Sequence, residues 1–320
     1  MSLLDTRDYY KPFDHPWMFD YYSQQNQMHW FPEDVPLHND VKDWQVLDES
    51  EKNLLTQIFR LFTQSDVDVG SGYVDRYMKI FKKPEARMMM GAFHNMESIH
   101  QHAYSLLLDT VGMPELEYKA FAEYEAMADK HEYIDAVRVT KGDRQSIAKA
   151  LAIYSAFTEG LQLFSSFIIL LNFPRFGKMK GMGQIITYSI RDESMHVEAM
   201  TKLFREFIQE NIELWTDDFK AEIYQACREM VDLEDRFLDL VFEQGDMRGL
   251  TKKEMQQYIR YIADRRLLQL GLKPNYNVKD NPLDWLDDVL GVEHQNFFEG
   301  RATTYMKAGL RGNVEKVKFA

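Results

Sequence analysis

Residues 96–100 read MESIH and residues 192–196 read DESMH. Each stretch sets a glutamate three places ahead of a histidine, and on an α-helix residues i and i+3 point the same way. With nine histidines in the chain, roughly one such pair is expected by chance, so neither decides anything alone. The neighbours decide. Met90, Phe93, Tyr104, Leu107 and Val111 share the face of Glu97 and His100, at helical spacings of three and four. Ile186, Met200, Leu203 and Phe207 do the same for Glu193 and His196. Both pairs therefore stand on the apolar stripe that a helix buries. His102 groups instead with Asn95, Ser98, Ser105 and Asp109, and reads as exposed.

Two further stripes carry the same anomaly. Leu55, Phe59, Phe62, Val69, Tyr73 and Tyr77 define a face on which position 66 falls, and that position is Asp66. Asp68 lies on the polar side with Gln64, Ser71 and Asp75, as a solvated acid. Ala148, Ala152, Leu163, Phe167 and Leu170 enclose Glu159. Unpaired buried carboxylates cost several kcal/mol each and need partners. No lysine or arginine stands near enough in sequence to serve all four. Four carboxylates balance two divalent cations, and oxygen with imidazole nitrogen suits iron and manganese. Calcium would not need the histidines, and structural zinc would be richer in cysteine. The pattern predicts an all-α, ferritin-like bundle with a di-metal carboxylate site in its core: one acid from each of two helices and Glu-x-x-His from each of two others.

The rest of the chain agrees. Pro12, Pro16, Pro32 and Pro36 crowd the first 36 residues, which are aromatic and irregular and read as a wrap on a bundle. Beyond them prolines are sparse, and helices are expected near 49–81, 85–112, 115–130, 144–172, 179–209, 216–245 and 251–270, with Pro84, Pro114 and Pro174 between them. One domain over residues 1–300 is expected, followed by a flexible tail at 301–320 that holds five basic residues and one acid. The net charge of -13 disfavours nucleic acid. The best apolar run, 164–171, is too short for a membrane span. A single cysteine, Cys227, and a start without a secretory leader point to the cytoplasm.

These residues resemble one family, the small, radical-generating subunit of class I ribonucleotide reductase. The likeness runs from about Trp30 to Tyr305. It implies a dinuclear centre of iron, manganese or both, held by Asp66, Glu97, His100, Glu159, Glu193 and His196. It places a radical tyrosine at Tyr104, one turn after His100, and has Asp192 link His100 to Trp30. Tyr305 is the implied tail relay, and Phe319 the aromatic anchor of a terminal peptide that docks on the large subunit. A homodimer is implied, and an activating flavoprotein is a possible further partner. The tail departs from the acidic tails common in the family by being basic.

The implied reaction reduces ribonucleoside di- or triphosphates to deoxyribonucleotides in the large subunit, started by a hole that leaves through His100, Asp192, Trp30 and Tyr305. Leu163 and Phe167 would line the oxygen side. Two rivals share the scaffold. An oxidase or oxygenase would need an open channel at the metals, and a metal-storage cage would use a chain about half this length.

Overall fold

Several helices here begin where a side chain satisfies free amides of the first turn, as Asp48, Asp143, Thr216 and Thr251 do. The computed structural model describes residues 2–113, 123–140 and 142–289, apart from the side chain of Thr63. Among them run α1 (Pro16–Gln27), α2 (His38–Val46), α3 (Glu49–Gly72), α4 (Met78–Ile80), α5 (Pro84–Val111), α6 (Glu125–Ala136), α7 (Arg144–Leu151), α8 (Leu163–Arg175), α9 (Lys180–Glu210), α10 (Asp217–Val241) and α11 (Lys252–Gln269). The described residues form no strand. Asp48 and Glu51 close a capping box on α3, and Thr251 and Glu254 close another on α11. Pro84 opens α5, and Gly112, at φ 80°, ends it in the left-handed turn that glycine adopts freely.

Two helices widen into π segments. Tyr73–Tyr77 joins α3 to α4, and Ala152–Gln162 joins α7 to α8. Both belong to the helices that carry the anomalous acids Asp66 and Glu159. Four rods surround the core: α3, α5, α9 and the continuous α7–π–α8 rod. The last runs from Arg144 to Arg175. By length and hydropathy alone it could cross a membrane. Its most apolar window is 100% buried in the bundle, so it is a core helix. On one side α1 and α2 pack on α5 and α9; on another, α10 and α11 pack on the second π segment.

Several expectations change. The first 45 residues are not merely irregular, because Pro16 takes the first helical position of α1, where its missing N–H costs nothing. Pro174 lies inside the last turn of α8 rather than after it, packed against Gly183, where any Cβ would stand 2.3 Å from its ring. Of the helix expected at 115–130, residues 115–122 and Pro114 lie outside the described residues, and the described helix runs on to Ala136. Asp68 is not simply solvated; it pairs with His131 at 2.7 Å. The chain divides into two compact units, Met1–Pro282 and Leu283–Ala320. The second is described only over residues 283–289, so the tail at 301–320, Tyr305 and Phe319 lie outside the described residues.

The start of α9 positions Asp192, Glu193 and His196, and α2 holds it. Asp40 accepts hydrogen bonds from the amides of Gly181 and Met182 at 2.9 and 2.8 Å, and Asp43 accepts from Met179 at 2.8 Å. Gly181 is required there: a Cβ would meet Asp40 Oδ2 at 2.7 Å and the Pro36 carbonyl at 2.9 Å. Asp40→Ala strands two buried amides at a positive helix end, so it should cost about 2 kcal/mol. The measurement is the midpoint of urea unfolding; an unchanged midpoint would remove the cap from the account.

Candidate metal centre

The four rods bring all six predicted donors together. Asp66 comes from α3, Glu97 and His100 from α5, Glu159 from the second π segment, and Glu193 and His196 from α9. None is more than 3% exposed. Glu97 and Glu193 form the centre, and each approaches both imidazoles. His196 Nδ1 lies 3.0 Å from Glu97 and 3.5 Å from Glu193. His100 Nδ1 lies 3.2 Å from Glu193 and 3.6 Å from Glu97. Asp66 feels His100 most among the charges around it, and Glu159 feels Glu193 and His196. The cluster thus has an Asp66–His100 side and a Glu159–His196 side, joined by two carboxylates.

These groups satisfy one another only in part. Beyond the imidazole–carboxylate contacts just given and the approach of Tyr73 to Glu159, both oxygens of Glu97 and of Glu193, one oxygen each of Asp66 and Glu159, and His196 Nδ1 meet no further hydrogen-bond partner. Orphaned buried acceptors at this density are costly, and a cation removes the cost. Donor atoms of Glu97, Glu193 and His196 lie within 4.8 Å of one another, close enough to share one ion. The cluster is therefore able to hold metal.

The outer nitrogens of the two histidines are held as metal-facing imidazoles require. His100 Nε2 meets Asp192 Oδ2 at 3.3 Å, and Trp30 Nε1 donates to the same oxygen at 2.9 Å. His196 Nε2 meets Gln25 Oε1 at 3.1 Å, and Gln25 Nε2 donates onward to Asp192 Oδ1 at 3.3 Å. Arg191 also donates to Asp192, at 2.9 Å. Both outer partners accept from Nε2, which leaves each Nδ1 facing the cluster.

The hydroxyl of Tyr104 donates to Ser189 Oγ at 2.9 Å, and its ring lies 4.8 Å from Phe62. Phe62 in turn meets Phe167 at 5.5 Å. Burial, with Asp66 nearby, keeps the Tyr104 phenol protonated far above its ordinary range. Sequence reading did not single out Gln25, Arg191, Ser189 or the hydroxyl of Tyr73. Tyr73 counted there as an apolar member of its stripe, yet burial and the nearby Glu159, toward which its hydroxyl is directed, hold its phenol protonated too.

In the metal-free chain, protons stand in for cations. Burial pushes His196 down, but Glu193 and Glu97 beside it hold it up at about 10. His100 is raised in the same way by Asp192, Glu193 and Glu97 against its burial. Burial also raises Asp66 and Glu159. Glu97 goes the other way, because the flanking imidazoles overcome its burial.

Residues 7–282 match the family model described as ribonucleotide reductase, small chain. The chain is 42% identical to a probable ribonucleoside-diphosphate reductase small subunit of Invertebrate iridescent virus 6, across 99% of each chain. It is 30% identical to the ribonucleoside-diphosphate reductase subunit beta of Chlamydia pneumoniae, across 93% of this chain and 90% of that one. Its fold matches the ribonucleotide reductase R2 subunit from Clostridium botulinum with a TM-score of 0.80 at 24% identity, over 86% of this chain and 88% of that one.

The histidine shifts predict a pH dependence. A histidine whose folded pKa lies above its ordinary 6.5 stabilises the fold fully below that value and loses the contribution as pH rises through the folded value, here about 10 for His196. The raised carboxyls of Asp66 and Glu159 have the same sign. The thermal midpoint of the metal-free protein should therefore fall as pH climbs from about 6.5 to about 10. Divalent metal must displace the imidazole protons, so Mn(II) binding at neutral pH should release protons. Calorimetry in buffers of different ionisation enthalpy counts them; binding with no proton release would contradict the protonated metal-free cluster.

Proposed function

The chain belongs to the ribonucleotide reductase small-chain family, and on that premise we propose that Asp66, Glu97, His100, Glu159, Glu193 and His196 hold a dinuclear centre of iron, manganese or both. The activity follows from the family: this is the small subunit of an oxidoreductase that makes deoxyribonucleotides from ribonucleotides, working as a homodimer with a large subunit. The diphosphate-reductase names of its relatives favour diphosphates as the substrates. The observation that carries the site reading is the set of buried orphan oxygens and nitrogen among those donors. When bound, a redox metal pair supplies the one-electron oxidant for radical formation.

The remaining steps belong to the chain's own residues. Tyr104 is the proposed store of the oxidising equivalent. Ser189 Oγ, 2.9 Å away, fixes the direction of its hydroxyl. The rings of Phe62 and Phe167 pack beside it, and Leu163 is buried one turn after Glu159, which keeps water out. The proposed exit runs from His100 to Asp192 and Trp30, a path supported by contacts of 3.3 and 2.9 Å. Tyr305 then relays between subunits while the terminal peptide docks on the large subunit. Dioxygen, or an oxidant delivered by a flavoprotein, would activate the centre. An exposure of 3% or less at every donor argues against an oxygenase with an open substrate channel.

Elemental analysis with electron paramagnetic resonance, on protein from its native host, tests the centre. Two metals per chain are expected. Glu193→Ala and His196→Ala should lower metal content and activity while the helical signal persists; a fully metallated, fully active double variant would sink the assignment. Tyr104→Phe should keep its metals and lose any tyrosyl signal and most activity. Activity that survives with a metal-centred signal would remove Tyr104 as the store.

The tail is tested separately. Truncation after Tyr305 should abolish turnover with the large subunit and leave metal content intact. Tyr305→Phe should preserve subunit binding, measured by surface plasmon resonance, yet block turnover. Wild-type turnover in Tyr305→Phe would take it off the path.

A further inference from the structure

Glu159 sits on an 11-residue π segment, Ala152–Gln162, far longer than the single-turn bulges in which π geometry mostly occurs. Helix distortions of this kind have identifiable causes, among them a side chain that bonds into the backbone ladder. One reaches in from α11. Arg266 is 8% exposed, and its Nε donates to the carbonyl of Gly160, the residue after Glu159, at 2.7 Å. Its Nη1 donates to Gln269 at 2.9 Å, and its guanidinium lies 4.8 Å from the ring centroid of Phe164.

Among the described residues, no carboxylate forms an ion pair with Arg266. Burial lowers its pKa to about 10, so the site places a cation where it is costly to keep one. The segment is shaped to receive it. A Cβ at Gly160 would stand 2.6 Å from Arg266 Nε, 2.9 Å from its Cδ and 3.1 Å from the Ser155 carbonyl. Only glycine admits the guanidinium at that depth.

We propose that Arg266 is a positioning residue: its grip on the Gly160 carbonyl fixes the π turn and so presents the Glu159 carboxylate to the metal cluster. The proposal rests on the reading of Glu159 as a metal donor. It makes α11, which contributes none of the six donors, a determinant of the Glu159–His196 side of the centre.

The test uses the full-length chain in four forms: wild type, Arg266→Met, Arg266→Lys and Glu159→Gln. Metal-free protein is examined by hydrogen exchange, and each form is titrated with Mn(II) followed by paramagnetic resonance. In Arg266→Met, exchange at residues 159–166 should quicken about tenfold while α9 stays protected. Affinity for one of two Mn(II) ions should fall about tenfold or more. Arg266→Lys, which keeps a cation and a donor, should recover part of both. Wild-type Mn(II) affinity in Arg266→Met, or exchange that quickens evenly across the bundle, overturns the proposal. If Arg266→Met does not fold, Arg266→Lys decides by the same two readings: a local, partial loss supports the role, and an unchanged or bundle-wide response overturns it. Glu159→Gln separates the two readings. Unchanged Mn(II) binding in that variant means that the donor assignment fails; weakened binding there alone, with Arg266→Met unaffected, means that only the role of Arg266 fails.

Discussion

Four carboxylates from four helices meet in the buried core of this molecule, and the rest of the structure answers to that constraint. Apolar burial would close the bundle on any core of suitable volume. It would not by itself tolerate Asp66, Glu97, Glu159 and Glu193 there, because a buried charge is worth keeping only with a counter-charge and good geometry. Without metal, the raised histidines and the protonated carboxyls supply a partial solution. Metal would supply a better one, since a divalent cation can satisfy oxygens that the imidazoles satisfy only in part. Assembly of the fold and assembly of the site are thus one electrostatic problem.

Much of that problem is visible in the sequence, for a plain reason. An acid on an apolar stripe breaks a periodic pattern, and α3, α5 and α9 are regular enough over their donor turns for the break to be read. Asp66, Glu97, His100, Glu193 and His196 were legible on those grounds. Glu159 was legible for a weaker one. Every residue from Ala152 to Gln162 is buried, so no face of that segment is distinguished from another, and the π geometry shifts the phase of any stripe. The stripe of Ala148, Ala152, Leu163, Phe167 and Leu170 on which it was read is therefore not a separate face in the structure, although its acid among apolar neighbours still marked it.

The groups that steady the donors were hidden because they come from distant parts of the chain. Gln25 touches His196 across 171 residues and Asp192 across 167. Nothing local separates Gln25 from Gln24. Asp40 and Asp43 serve the start of α9 from more than 130 positions away, and Arg266 meets Gly160 across 106. Local patterning is strong evidence for which face is buried and weak evidence for what it is buried against. The helices α1 and α2 were missed for a related reason. Their sequences are proline-flanked and poorly striped, and packing on α5 and α9 stabilises them more than their own periodicity does.

The two sides of the cluster are built differently, and the difference gives the proposed hole path its direction. On one side, His100 leans on a carboxylate that also receives Trp30, Gln25 and Arg191. Burial alone would protonate Asp192, yet His100, Arg191 and Trp30 together hold its pKa below the ordinary value, so it remains ionised. An ionised acceptor draws the imidazole proton more strongly than a neutral one does. On the other side, His196 leans on the neutral amide of Gln25 and is packed between Phe93, at 4.3 Å, and Tyr73, at 6.1 Å. Trp30 meets the His100 side at Asp192, while the amide of Gln25 turns back to that same carboxylate. Both imidazoles therefore converge on Asp192, but only His100 reaches it directly. A positive charge created at the cluster is better stabilised toward His100, where the ionised Asp192 sits, and Trp30, the ring of the proposed path, lies on that side.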